Sequence, residues 1–199
     1  MSTVPLEHIQ NEADWHLPSR GRFGMGCLIL GETAVFMIFV VAYIYYIGRD
    51  VYGPKPQEVL KVPIFNTICL LSSSVFIWLA EHAIEHGRMQ AFKLYWAITT
   101  LLGAIFLFGT GMEWHELITK DHLTIRTNLF GTTFYSLVGL HASHVIVGLL
   151  LLSVVLIAAL ANKLGPEHSE RVQVLALYWH FVDAVWVVVF TVVYMVSAR

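Results

Sequence analysis

Apolar residues run through this chain in five long blocks, and within each block they are continuous rather than alternating with polar ones. Residues 1–22 are polar and read as an extramembrane tail. From Phe23 to Ile47 the only charge is Glu32, a run long enough to cross a bilayer as a helix. The run is too long for a signal-peptide core, and its polar leader is wrong for one, so an uncleaved first span is expected. Gly and Pro punctuate residues 48–61 as a loop. Val62 to Ala80 is uncharged and opens a second span, which continues through Glu81-His82-Ala83-Ile84-Glu85-His86 to Gly87. Leu94 to Met112 forms a third, closed by Glu113-Trp114-His115-Glu116. Between Arg126 and Lys163 there is no Asp, Glu, Lys or Arg. That stretch exceeds one membrane thickness but is too short for two spans, so it is expected to tilt or project. The last block, Val172 to Ala198, holds one charge, Asp183.

These blocks predict an all-α integral membrane protein with five transmembrane helices in a bundle, near 23–47, 62–86, 94–115, 129–161 and 172–198. The tail 1–22 precedes a single five-span domain, 23–199. Continuous apolarity favours helices over a barrel, whose strands alternate. Five spans put the termini on opposite faces. The Lys and Arg residues divide six against six between the two sides, so the positive-inside rule gives no orientation. Tyr45, Tyr46, Tyr95, Trp96, Trp114, Tyr178 and Trp179 fall near the expected span ends, as an interfacial aromatic belt would.

Composition agrees with this reading. Of 199 residues, 57% are apolar and 13% charged, and mean hydropathy is +0.67. Disorder is excluded, because it needs low hydrophobicity and high charge. A net charge of -2 makes no electrostatic case for nucleic acid. Cys27 and Cys69 lie inside apolar runs and form no CxxC pair, so both read as buried, inert thiols.

The informative residues are the ionisable groups that the spans retain, since each is costly in hydrocarbon and marks a functional position by default. They are Glu32, Glu81, His82, Glu85, His86, Glu113, His115, His141, His144, His180 and Asp183. His82/His86 and His141/His144 each share a helix face. Two helices offering one histidine each would hold a b-type haem. Depth speaks against it: at 1.5 Å per residue, His180 is roughly 12 Å into its span and His144 roughly 20 Å or more from the adjoining end. Packing by interhelical hydrogen bonds is therefore preferred. Glu81, His82, Glu85, His86 and Arg88 read as a solvated helix end, with a lipid-headgroup or partner contact as the functional alternative. Gly139 and Ser143 make a small-xxx-small pair that would permit a close helix approach. Asp183 needs a partner from His180 or a neighbouring span. Glu32 has no charged neighbour in its own helix; it reads as a protonated carboxyl bonded to another helix, or as a proton-handling or lipid-cleft group.

Several of these residues sit in extended motifs. Leu177-Tyr178-Trp179-His180-Phe181-Val182-Asp183-Ala184-Val185-Trp186, with Phe190 and Tyr194, resembles the closing motif of subunit III of haem-copper terminal oxidases. Gly139-Leu140-His141-Ala142-Ser143-His144-Val145-Ile146-Val147-Gly148 resembles that family's GxHxxHVxxG helix. Phe23-Gly24-Met25 through Gly31-Glu32-Thr33 and Phe36 resembles its helix with an intramembrane, carbodiimide-reactive glutamate. Gly111-Met112-Glu113-Trp114 resembles its later helix-end glutamate.

The resemblance runs from about Arg22 to Ser197. It implies a non-redox subunit of a proton-pumping cytochrome c oxidase of aerobic respiration, in its five-helix bacterial form. The partners implied are oxidase subunits I and II, which hold the haems and coppers, together with membrane lipids and other subunits of the respiratory complex. No catalytic residue, cofactor or metal is assigned to this chain, although bound phospholipid is expected from the family. The carried-over positions are Glu32, Glu113, His141, His144, His180 and Asp183. The resemblance also implies a bacterial inner membrane, with the N-terminus cytoplasmic and the C-terminus outside. The longest members of the family have seven helices and the first two have no counterpart here, so another subunit is expected to complete any lipid site. A quinol oxidase subunit, a nitric-oxide-reductase accessory protein and a stand-alone haem-binding electron carrier are the alternatives.

Overall fold

Residues 19–49, 53–54, 56–60 and 62–196 are described by the structure, a computed structural model. Tail residues 1–18, the last two residues of the fifth block and the C-terminal Arg199 lie outside the described residues. The order is α1 (Arg20–Tyr46), a one-turn α2 (Pro56–Val59), α3 (Ile64–Glu85), α4 (Met89–Thr119), α5 (Leu129–Leu160) and α6 (Ser169–Phe190). A 3-10 turn, Pro166–His168, leads into α6, and a π-helical turn, Thr191–Val196, extends it. Five of these segments are long and apolar enough to cross a membrane, and no strand occurs among the described residues.

Helix boundaries depart from the charge-free runs because local chemistry sets them. The Ser19 side chain accepts from the Arg22 N–H and starts α1 before Phe23. Asn128 does the same for α5, accepting from Gly131 N at 2.8 Å. Such caps satisfy N–H groups that have no partner within the helix. Helix α4 begins at Met89 rather than Leu94, because Lys93 reaches outward to Asn162 at 2.7 Å without interrupting the helix.

Helices α3 and α4 form an antiparallel hairpin across Gly87, and α6 lies at the centre against α1, α3 and α5. Of the five spans α6 is the most buried and α1 the least. The outward surface carries Leu30, Ile38, Phe108, Val154 and Ile157, all exposed. This surface is suited to lipid or to a protein partner, not to water. Cys69 is buried as expected, but Cys27 is exposed on α1.

Trp96 and Trp179 correct the aromatic belt: both are fully buried. Trp96 donates to the Leu152 carbonyl at 2.9 Å, and Trp179 donates to Ser73 Oγ at 2.8 Å. The indole N–H finds a partner inside the bundle, so it has no need of the headgroup layer. Room for the Trp179 ring comes from Gly103 on α4 and Gly148 on α5, where an added Cβ would lie 2.7 and 2.8 Å from the indole. Gly139 does not serve in this way, since a Cβ there would meet Trp114 at an ordinary 3.5 Å. Close approach therefore depends on Gly103 and Gly148, not on the Gly139/Ser143 pair.

Candidate functional site

Glu32 occupies the middle of α1, and His144 the middle of α5. His144 Nε2 stands 3.2 Å from Glu32 Oε2, while His144 Nδ1 lies 2.8 Å from the Leu140 carbonyl. A carbonyl can only accept, so Nδ1 carries a proton and Nε2 is the atom that meets Glu32. Contact with the carboxylate then requires one proton shared between the two groups. Phe36 packs against the imidazole, with ring centroids 5.0 Å apart. A cleft of about 230 Å³ opens beside the pair, bounded by Leu28, Ser143, Val147 and Tyr178.

A second polar group joins α3 to α6. Ser74 Oγ donates to Asp183 Oδ2 and lies 3.3 Å from His180 Nδ1. A hydroxyl has one proton, so His180 Nδ1–H donates to Ser74 while Ser74 donates to Asp183. His180 Nε2 faces Glu81 at 3.6 Å. The relay therefore runs from buried Asp183 toward the end of α3, where Arg22, Glu81, Gln173 and His180 border a shallow cleft. Ser73, one residue away, receives Trp179 and donates to the Leu70 carbonyl.

Glu113 near the far end of α4 accepts from Tyr194 at 2.8 Å. It borders an outer cleft of about 390 Å³ together with Val59, Pro63, Asn66 and the exposed His115. Glu116 pairs with Lys120 at 2.6 Å on the exposed rim and holds that ammonium above the usual lysine range.

His141 is buried against Trp186 and Phe106, and neither ring nitrogen has a hydrogen-bond partner among the described residues. At the opposite end of the bundle, Gln173 donates to Glu85 and accepts from Arg22. His86 Nδ1 lies 2.8 Å from the His82 carbonyl, and Arg88 precedes α4 without a side-chain cap bond.

The helix ranges correct the depth argument against haem. Because the last span begins at Pro166 rather than Val172, His180 lies near the middle of its span, as His144 does. Ligation is opposed instead by commitment: His144 is held by Glu32 and Leu140, and His180 by Ser74 and Glu81. His144 has both nitrogens engaged, so a haem on this pair would have to displace the Glu32 contact.

The Ser74 link was not anticipated from sequence. Its only signal is Ser72-Ser73-Ser74 inside an apolar span, which uncharged side chains make easy to pass over. Gln173 has no such signal.

The family described as cytochrome c oxidase subunit III matches residues 15–198. Cytochrome c oxidase subunit 3 of Bacillus sp. (strain PS3) is 33% identical over 184 residues, covering 91% of this chain and 88% of the relative. The protein of that name from Synechocystis sp. is 35% identical over 188 residues, covering 89% and 76%. That from Thermostichus vulcanus is 29% identical over 199 residues, covering 98% and 94%.

Proposed function

The chain belongs to the cytochrome c oxidase subunit III family, and from that premise we propose that it is the non-redox third subunit of a proton-pumping cytochrome c oxidase. The Glu32–His144 contact carries this reading. It is an acid and an imidazole from different helices, meeting at mid-membrane around one proton and beside an open cleft. Ionisable groups at that depth are retained where a proton or a polar ligand is handled. Subunits I and II are the proposed partners and hold the haems and coppers. The outward apolar face of α1 is suited to packing on one of them or on lipid. An acyl chain suits the cleft beside Glu32, against Leu28 and Val147. Proton uptake and protection during turnover are the tasks assigned to the pair. In this reading the N-terminus lies in the cytoplasm of a bacterial cell and the C-terminus outside.

Affinity purification through a tag on this chain tests the assignment. The expected product is a complex with haem bands and a dicopper cytochrome c-binding subunit. A partner without copper ligands would move the chain to a quinol oxidase. A Soret band on the isolated chain would make it a haem carrier instead. Orientation is read by labelling Arg126→Cys in a chain without its native cysteines. Labelling of intact cells is expected, and labelling only after permeabilisation would reverse the topology.

A further inference from the structure

The last turn of α3 exposes His82, Glu85 and His86 side by side, and one donor atom from each lies within 4.8 Å of the other two. Two imidazoles four residues apart and a carboxylate between them occupy one helical face. Three such donors with an open fourth position for water match a four-coordinate zinc site, and imidazole donors favour zinc and its transition-metal neighbours over calcium or magnesium.

Four features of the surroundings point to a ligand rather than to a solvated helix end. His86 already commits Nδ1–H to the His82 carbonyl at 2.8 Å, which leaves Nε2 as its lone-pair donor. This is the usual second hydrogen bond of a metal-bound histidine. Glu85 is oriented by Gln173 of α6, which is itself held by Arg22 of α1. The His82 ring stacks on Trp78 at 6.2 Å with 13° between planes, limiting its rotamers. The three donors also sit at a helix C-terminus, where unpaired carbonyls favour a cation.

We propose that His82, Glu85 and His86 bind one divalent zinc ion at this end of the bundle, bracing α3 against α6 and α1 through Gln173. This departs from the sequence reading, which assigned no metal to the chain and kept these residues for lipid or partner contact. In tetrahedral zinc with bonds of about 2.0 Å the donors stand roughly 3.3 Å apart. The three side chains must therefore close by at most about 1.5 Å from their present separation. Exposed side chains can do so by rotation alone. The role assigned is structural and leaves the oxidase reading untouched.

The test uses the full chain with the subunits that accompany it, stripped with a chelator and titrated with Zn2+ against a chromogenic competitor. Wild type is expected to take up one more equivalent in the micromolar range than the His82→Gln/His86→Gln double variant. Zinc should also raise the thermal midpoint of wild type but not of the double variant. Because both histidines are exposed, unchanged subunit content and spectra will certify the variant's fold. Gln173→Ala, which removes no ligand, should weaken binding about tenfold. Equal zinc uptake by wild type and the double variant would overturn the site, as would no saturation of wild type below about 1 mM. Unchanged affinity in Gln173→Ala would overturn the bracing role.

Discussion

Tyr194 donates its hydroxyl to Glu113 at 2.8 Å, joining the π-helical turn at the end of α6 to the far part of α4. Tyr194 is buried, and π turns frequently mark functional positions. Tyr194→Phe removes only the hydroxyl and strips the carboxyl of its donor. The expected cost is about 1–3 kcal/mol. Thermal unfolding of the detergent-solubilised protein measures it. In a Glu113→Leu background the same substitution should cost less, because the partner is gone. Equal costs in the two backgrounds would show that the hydrogen bond contributes nothing.

Gly148→Ala places a methyl group 2.8 Å from the Trp179 ring. Overpacking of about 1–3 kcal/mol should outweigh the gain in helix propensity. Gly24→Ala, with open space around it, should instead be neutral or stabilising by up to about 1 kcal/mol. Comparison of the two thermal midpoints decides whether the cost arises from Trp179 or from the backbone.

Asp183→Ala leaves the Ser74 hydroxyl without its acceptor and cuts the relay from His180 at Ser74. The cost is about 1–3 kcal/mol for a neutral network, rising to about 3–5 kcal/mol if the group is ionised. The subunit should be lost more readily from the complex on detergent washing, while the haem spectra of the remainder stay unchanged. Ser74→Ala should reproduce this loss in milder form. A fully retained variant with altered haem spectra would contradict the structural role.

Glu32→Gln preserves the hydrogen-bonding shape, since the amide N–H can donate to His144 Nε2, but it cannot share a titrating proton. The complex is expected to assemble and reduce dioxygen. Labelling by a hydrophobic carbodiimide should disappear, and proton uptake or turnover lifetime should fall. Equal labelling of wild type and variant would place the reactive group elsewhere. Unchanged uptake and lifetime would reduce Glu32 to a packing residue.

Five spans were legible in the sequence because exclusion of charge from hydrocarbon acts on each segment separately. The unusual positions were legible for the same reason: Glu32 and Asp183 stand out as lone charges in apolar runs. Their partners were not. Glu32 meets His144 across 112 residues, and Asp183 meets Ser74 across 109. Which side chains meet depends on the rotation and sliding of one helix against another, and hydropathy along either helix carries neither. The burial of Trp96 and Trp179 was hidden likewise, because a tryptophan near a span end looks interfacial until facing helices supply an acceptor and a space. Segment-by-segment solvation determined the number of helices and the suspect residues. Only the packed bundle decided which residues bond, because a buried polar group must find its partner wherever the neighbouring helix places one.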